Sequence, residues 1–280
     1  MTMRQNGCAM AMLSGLLATM LLAGCSPSAA PAVADRQPSV GIGEDALVQY
    51  SLIAALADGD YEGGVSLREL LTGGDFGIGT FERLDGEMIV LGGEIFQGRA
   101  DGTVRRCGLD EKTPFAAVTQ FQEDGRLEKL NAATLEDLDS QLDRKLAHRN
   151  TPYALRIDGE FAEVTIRSVP AQTPPYKPLV EVVKNQPTWN HQKVRGTMLG
   201  FRCPSWVGTL NVAGYHWHFL SDDRKIGGHV LNCRFTESLL RYDECTALLI
   251  RVPQSERFDQ FTTDKIKRED INEIERKRDK

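Results

Sequence analysis

"GYHWHFLSDDRKIGGHV", residues 214–230, decides how the chain is read, because three of its five histidines fall there. Tyr215, Trp217 and Phe219 alternate with His216 and His218, the period of a strand, so both imidazoles share one side. The polar run "SDDRK" turns the chain, and "GGHV" returns it with His229. A hairpin centred between Asp223 and Arg224 sets His218 opposite His229, with β-carbons about 4.5–5.5 Å apart. A slip of one residue would send His229 to the other face. Three imidazoles on one wall hold an ion and leave a fourth position for water or substrate. Zinc suits such ligands best, although other divalent first-row ions also bind them. His148, beside a helix end, and His191, in a loop, carry no such pattern.

Outward from the hairpin the period-two grammar continues. "GIGTFERL", "EMIVLGG", "EIFQGRA" and "TVRRC" alternate between turn signals and predict a β-meander, with "TPFAAVTQFQ" as a further strand. "PYALRID" and "FAEVTIRSV" read as two strands flanking Gly159. Further strands are predicted near 194–202, 208–220, 228–236 and 245–252. Helical spacing predicts a helix near 45–58 and another starting at Thr134 in "TLEDLDSQLDRKLAH". Ser66 and Glu69 form a capping box over "SLRELLTGG", and "KPLVEVVKNQ" is a short helix. Strands interspersed with short helices make an α+β protein of two β-rich lobes, each a mixed sheet, spanning 44–150 and 151–254. "GIGTF" and "VRGTMLGF" hint at an internal duplication. The charged stretch 255–280 reads as a solvated helix or loose tail.

With 33 basic and 39 acidic residues the chain carries a net charge of −6. No basic stripe or aromatic platform interrupts that balance, so nucleic acid is not an expected partner. Cys107, Cys203, Cys233 and Cys245 lack C-x-x-C spacing, which argues against a thiolate zinc site. Paired cysteines and buried free thiols both remain open for them.

The first residues have a different character. "MTMRQNGCAMAMLSGLLATMLLAGC" holds Arg4, an apolar run and a terminal "LAGC" that resembles the lipobox of bacterial lipoproteins. That resemblance implies a signal peptide over 1–24, lipidation of Cys25 and a membrane anchor through the lipid. Ser26 is similar to the residue found in lipoproteins sorted to an outer membrane, which puts the expected location on its periplasmic face. Residues 25–43, rich in Ser, Ala, Pro and Gly, read as a flexible tether.

"GDFGIGTFERLDGEMIVLGGEIFQGRADG", "YALRIDGEFAEVTIRSV", "VRGTMLGF" and "AGYHWHFLSDDRKIGGHV", in that order, resemble the bacterial acetolactate decarboxylases from about Ala46 to the C-terminus. The resemblance implies conversion of 2-acetolactate to (R)-acetoin and carbon dioxide. It implies His216, His218 and His229 as zinc ligands, with Thr80, Glu87 and Arg167 as further site residues. It also implies a tail glutamate, for which Glu275 matches better than Glu273. The zinc would stabilise the enediolate left by decarboxylation, while Glu87 and Arg167 handle proton and substrate. A homodimer is carried as an expected assembly. Two other classes use the same histidines: a zinc hydrase or hydrolase with metal-bound hydroxide, and a non-enzymatic zinc-binding lipoprotein. The first wants a general base near the H-x-H pair, which "GYHWHFLSDD" does not offer. The second usually carries His- and acid-rich loops, absent from this chain.

Overall fold

Alternation along the segments after Gly77 produces antiparallel strands, and their partners define two large sheets. The structure is a computed structural model that describes residues 45–263, 266 and 268–275. The expected signal peptide, the tether and Cys25 lie outside those residues.

The described chain opens with β1 (Ala46–Tyr50), α1 (Ile53–Ala57), β2 (Val65–Ser66) and α2 (Leu67–Leu70). The meander follows as β3 (Phe76–Thr80), β4 (Glu87–Leu91), β5 (Glu94–Gly98) and β6 (Val104–Arg106). After it come β7 (Lys112–Thr113), β8 (Ala116–Thr119), β9 (Gly125–Ala132) and α3 (Leu135–Lys145). Then come β10 (Tyr153–Arg167), α4 (Leu179–Val182), β11 (Thr188–Cys203), β12 (Gly214–Ser221) and β13 (Gly227–Glu244). The order ends with β14 (Ala247–Arg251), α5 (Glu256–Asp259) and α6 (Arg268–Glu275).

The first sheet runs β14-β1-β8-β3-β4-β5-β6, mixed because β1 and β14 are parallel. The second runs β10-β11-β12-β13-β9, and β10 also pairs with β13, so β10 to β13 close on themselves. All its pairings are antiparallel, which corrects the expectation of two mixed sheets. The sheets exchange strands along the chain. β9, from before residue 150, joins the second sheet, and β14, from the C-terminal part, joins the first.

Alternation then assigns each side chain its core. Trp217 and Phe219 point into the closed strands with Leu155, Ile157, Phe161, Met198 and Phe235, under a lid of α3 through Leu138 and Leu142. Leu220, Leu199 and Phe201 face the first sheet's Phe76, Ile78 and Ile89. His216 and His218 share the parity of Leu220, so they project toward the first sheet. α3 starts where expected, with Thr134 Oγ1 accepting from Asp137 N at 3.1 Å. The capping box is likewise present, Ser66 Oγ accepting from Glu69 N at 3.2 Å.

Several expectations need correction. Residues 45–58 form β1 and then α1 rather than one helix. β1 is buried along most of its length between β8 and β14, and Ser51, at φ 64°, breaks any helical continuation. Buried Gln49 secures the break by donating to the carbonyls of Ser51 (2.6 Å) and Leu210 (2.8 Å). An apolar run buried on all sides has no strand period to read. The two strands expected around Gly159 are one strand, β10, whose pairing with β13 carries register shifts there. Residues 208–213 precede β12 instead of belonging to it, and β9, rich in charge, was not expected as a strand. The four cysteines named above are all free thiols, three of them buried.

The last segment is the largest departure. α6 is no solvated tail: Ile271 and Ile274 are each 2% exposed and pack with Ile53 and Leu56 of α1 and Leu179 and Val182 of α4. Ile271→Ala should weaken α6 docking by about 2–5 kcal/mol, the usual cost of truncating a buried Ile. The expected readout is faster proteolysis of the C-terminal segment with the sheets intact. An unchanged cleavage rate would contradict the packing role assigned to α6.

Candidate metal centre

Register, more than any single residue, assembles this site. His218 pairs with His229 across β12 and β13, and on its other side His229 pairs with Arg167 of β10. Opposed residues project to one face, so Arg167, His229 and His218 form a row, with His216 two residues along β12. The ring centroids lie 5.1 Å (216–218), 5.0 Å (216–229) and 5.4 Å (218–229) apart. One nitrogen from each ring lies within 4.8 Å of the others. Gly228 is what lets β13 approach β10 here, since a Cβ at that position would sit 2.5 Å from the Arg167 carbonyl oxygen.

Two rings are held by backbone. His218 Nδ1 lies 2.8 Å from the Met88 carbonyl of β4, and His229 Nε2 lies 3.2 Å from the Glu275 carbonyl of α6. Only N–H can donate to a carbonyl, so His218 Nε2 and His229 Nδ1 are left as bare lone pairs. Both are buried without a hydrogen-bond partner. Burial, with help from Arg167, pushes the His216 imidazole down to about 3. Burial likewise holds His218 and His229 well below the ordinary imidazole value. Neutral rings with unpartnered nitrogens converging on one point fit a divalent cation.

Carboxylates border the same point. Glu275 Oε2 lies 3.4 Å from His216 Nε2 and 3.7 Å from His229 Nδ1, and Glu87 Oε2 lies 3.6 Å from His218 Nε2. None of these contacts is a hydrogen bond, and Glu275 Oε2 is buried without one. Burial raises Glu87 to about 7, with Arg167 opposing and Glu275 adding to the rise. Glu275 is raised to about 7 by burial, again against Arg167. The sequence places Glu87 after a "DG" turn, where a carboxylate is usually exposed, yet it is only 7% exposed. Gly86 explains this: at φ 87° its N–H donates to the Val169 carbonyl at 3.0 Å, folding the turn inward. Thr80 Oγ1 donates to the Gly86 carbonyl at 2.7 Å and holds that turn from β3. Thr80 thus lies beside Glu87, Glu273 is exposed, and Glu275 is the tail carboxylate at the histidines.

A small cavity of about 40 Å³ is lined by Thr80, Glu87, Arg167, His216, His229 and Glu275. Its apolar lining includes Ile53, Leu56, Leu84, Phe115, Leu179 and Val183, none of which sequence spacing singled out. They come from four separate segments, so no local pattern could have joined them. Arg167 Nη1 donates to Gln186 at 2.9 Å, while its Nε is buried with no partner. The arrangement can chelate a small oxygen-bearing anion, shield it from water and exchange a proton with it.

Residues 47–265 match the family model described as alpha-acetolactate decarboxylase. The chain is 41% identical over 215 residues to the alpha-acetolactate decarboxylase of Raoultella terrigena, covering 77% of this chain and 83% of that one. It is 39% identical to the one of Bacillus subtilis strain 168, covering 76% and 83%. The crystal structure of the alpha-acetolactate decarboxylase from that Bacillus strain superimposes with a TM-score of 0.80 at 36% identity, over 83% of this chain and all of that one.

His218→Ala should abolish zinc retention, measured as metal content after dialysis, whereas His191→Ala should keep it. A zinc-replete His218→Ala protein would remove the ion from this cluster.

Proposed function

This chain belongs to the alpha-acetolactate decarboxylase family, and from that premise we infer how its own residues carry the reaction. The activity is decarboxylation of 2-acetolactate to acetoin. The observation that carries the residue assignment is the convergence of the imidazoles of His216, His218 and His229 on one point, beside a buried cavity lined by Arg167, Glu87 and Glu275.

His216, His218 and His229 hold the metal, zinc by the chemistry of the donor set, and Glu275 offers an oxygen beside them. When bound, the ion supplies Lewis acidity that lowers the cost of the charge appearing as carbon dioxide leaves. Arg167 orients the substrate anion with the donors that the protein leaves unpaired. Breaking the carbon–carbon bond leaves its electron pair conjugated with the neighbouring ketone, as an enediolate. Burial favours the protonated form of the Glu87 carboxyl, and Glu87 delivers its proton to that carbon. Solvent then returns a proton to Glu87, which balances the single proton the reaction consumes. Glu87 approaches from one wall only, and one-sided delivery favours one enantiomer, (R)-acetoin. The apolar wall accommodates the substrate's methyl groups and excludes water, which strengthens each charge interaction inside. Thr80 keeps Glu87 in place through the Gly86 carbonyl.

We further propose that the lipobox-like segment is processed and Cys25 lipidated, tethering the enzyme outside the cytoplasm at the periplasmic face of the outer membrane. A homodimer is part of the same proposal.

Acetoin release from racemic 2-acetolactate, with and without a chelator, tests the reading; turnover by metal-stripped protein would overturn it. Glu87→Gln should keep zinc and slow turnover by about 10²–10⁴-fold, the range for general acid–base groups. Unchanged turnover would strip Glu87 of its role. Cys25→Ser should release the protein from membranes, and continued tight association would count against lipidation.

A further inference from the structure

Arg167 is 4% exposed, and it forms no ion pair among the described residues. Its one hydrogen bond there runs from Nη1 to Gln186 Oε1, 2.9 Å long, and its Nε has no partner. Its counter-charges, Glu87 and Glu275, act on it across the cavity rather than by direct contact, so the one side-chain group that holds the guanidinium is a neutral amide. Gln186 is in turn well placed. It follows the 3₁₀ turn Val183–Asn185 after α4, its own N–H donating to the Val183 carbonyl at 3.5 Å. The next residue, Pro187, accepts from Ser168 N at 3.4 Å, beside Arg167 in the chain, and Ser168 Oγ donates to the Gly98 carbonyl at 2.8 Å. Thr188, two residues on, is the cross-strand partner of Arg167. Gln186 is therefore anchored on the same backbone frame as the guanidinium it holds.

We propose that Gln186 is a positioning residue for the decarboxylation: its amide oxygen fixes the guanidinium of Arg167 without neutralising it, leaving the other donors for the substrate's carboxylate. The proposal rests on the reading of Arg167 as the substrate-orienting cation. A glutamate of the same shape at this position would keep the hydrogen bond but cancel the charge, and would add a third carboxylate to a neighbourhood that already holds Glu87 and Glu275. A leucine would remove the acceptor and let the guanidinium settle elsewhere. Charge and anchoring can thus be separated by two variants of one residue.

The experiment uses the zinc-loaded full chain with 2-acetolactate, measuring kcat and KM for Gln186→Glu, Gln186→Leu, Arg167→Ala and the Gln186→Leu/Arg167→Ala double variant. Zinc content and thermal midpoint serve as controls of intact structure. Gln186→Glu should raise KM about tenfold or more while kcat stays within about threefold, the pattern of lost substrate binding. Gln186→Leu should lower kcat/KM about tenfold, and should add nothing once Arg167 is already alanine. A merely structural glutamine would tolerate glutamate and would act independently of Arg167. Wild-type kinetics in both single Gln186 variants, with Arg167→Ala impaired, overturn the proposal and leave the Arg167 reading standing. So does an additive double variant, or a loss of activity that tracks loss of zinc. Unchanged kcat/KM in Arg167→Ala overturns the Arg167 reading itself, and the proposal with it.

Discussion

The register of β13 between β12 and β10 is the constraint on which everything else hangs. It sets His229 between His218 and Arg167, so the imidazoles and a buried guanidinium emerge on one face of one sheet. A slip of β13 by one residue would turn His229 to the other side, into the interior that Trp217 and Phe219 now fill, and would break the row. The hydrophobic alternation that packs the closed strands is therefore also what aims the imidazoles. Core and site share one pattern, and neither can change register alone.

Aim is not enough, because an imidazole can bind with either nitrogen. The carbonyls of Met88 and Glu275 settle the tautomers, and they come from the first sheet and from α6 respectively. The site thus closes only where the second sheet meets β4 and the C-terminal helix. The same convergence removes water, raises two carboxyl groups and keeps three imidazoles neutral. Burial alone would make such a cluster costly; a cation accepted by the bare nitrogens offsets that cost.

Much of this was legible in the sequence where the information is local. Period two and the parity of an even turn fix the histidine hairpin within seventeen residues, and the observed pairing is centred where that parity puts it. The meander and the capped helices follow from equally short patterns. β1 was not legible, since a run buried on both faces looks the same as a buried helix. β9 was hidden by charge on its exposed face. α6 carried its signal in Ile271 and Ile274, three apart, but the surrounding charges made the stretch read as solvated. Glu87 was misleading on its own, because the turn that buries it is held by Thr80 of the neighbouring strand and by Val169, far along the chain just after β10. Gln186 had no signature at all: its role exists only through the pairing of β10 with β11. Resemblance to a family supplied the non-local residues, and the geometry supplies what each of them touches.

X-ray absorption at the zinc edge of the metal-loaded protein tests the central claim most directly, because it counts the imidazoles around the ion. The expected spectrum has three imidazole ligands completed by oxygen, with no sulfur. A sulfur scatterer, or fewer than three imidazoles, would contradict it.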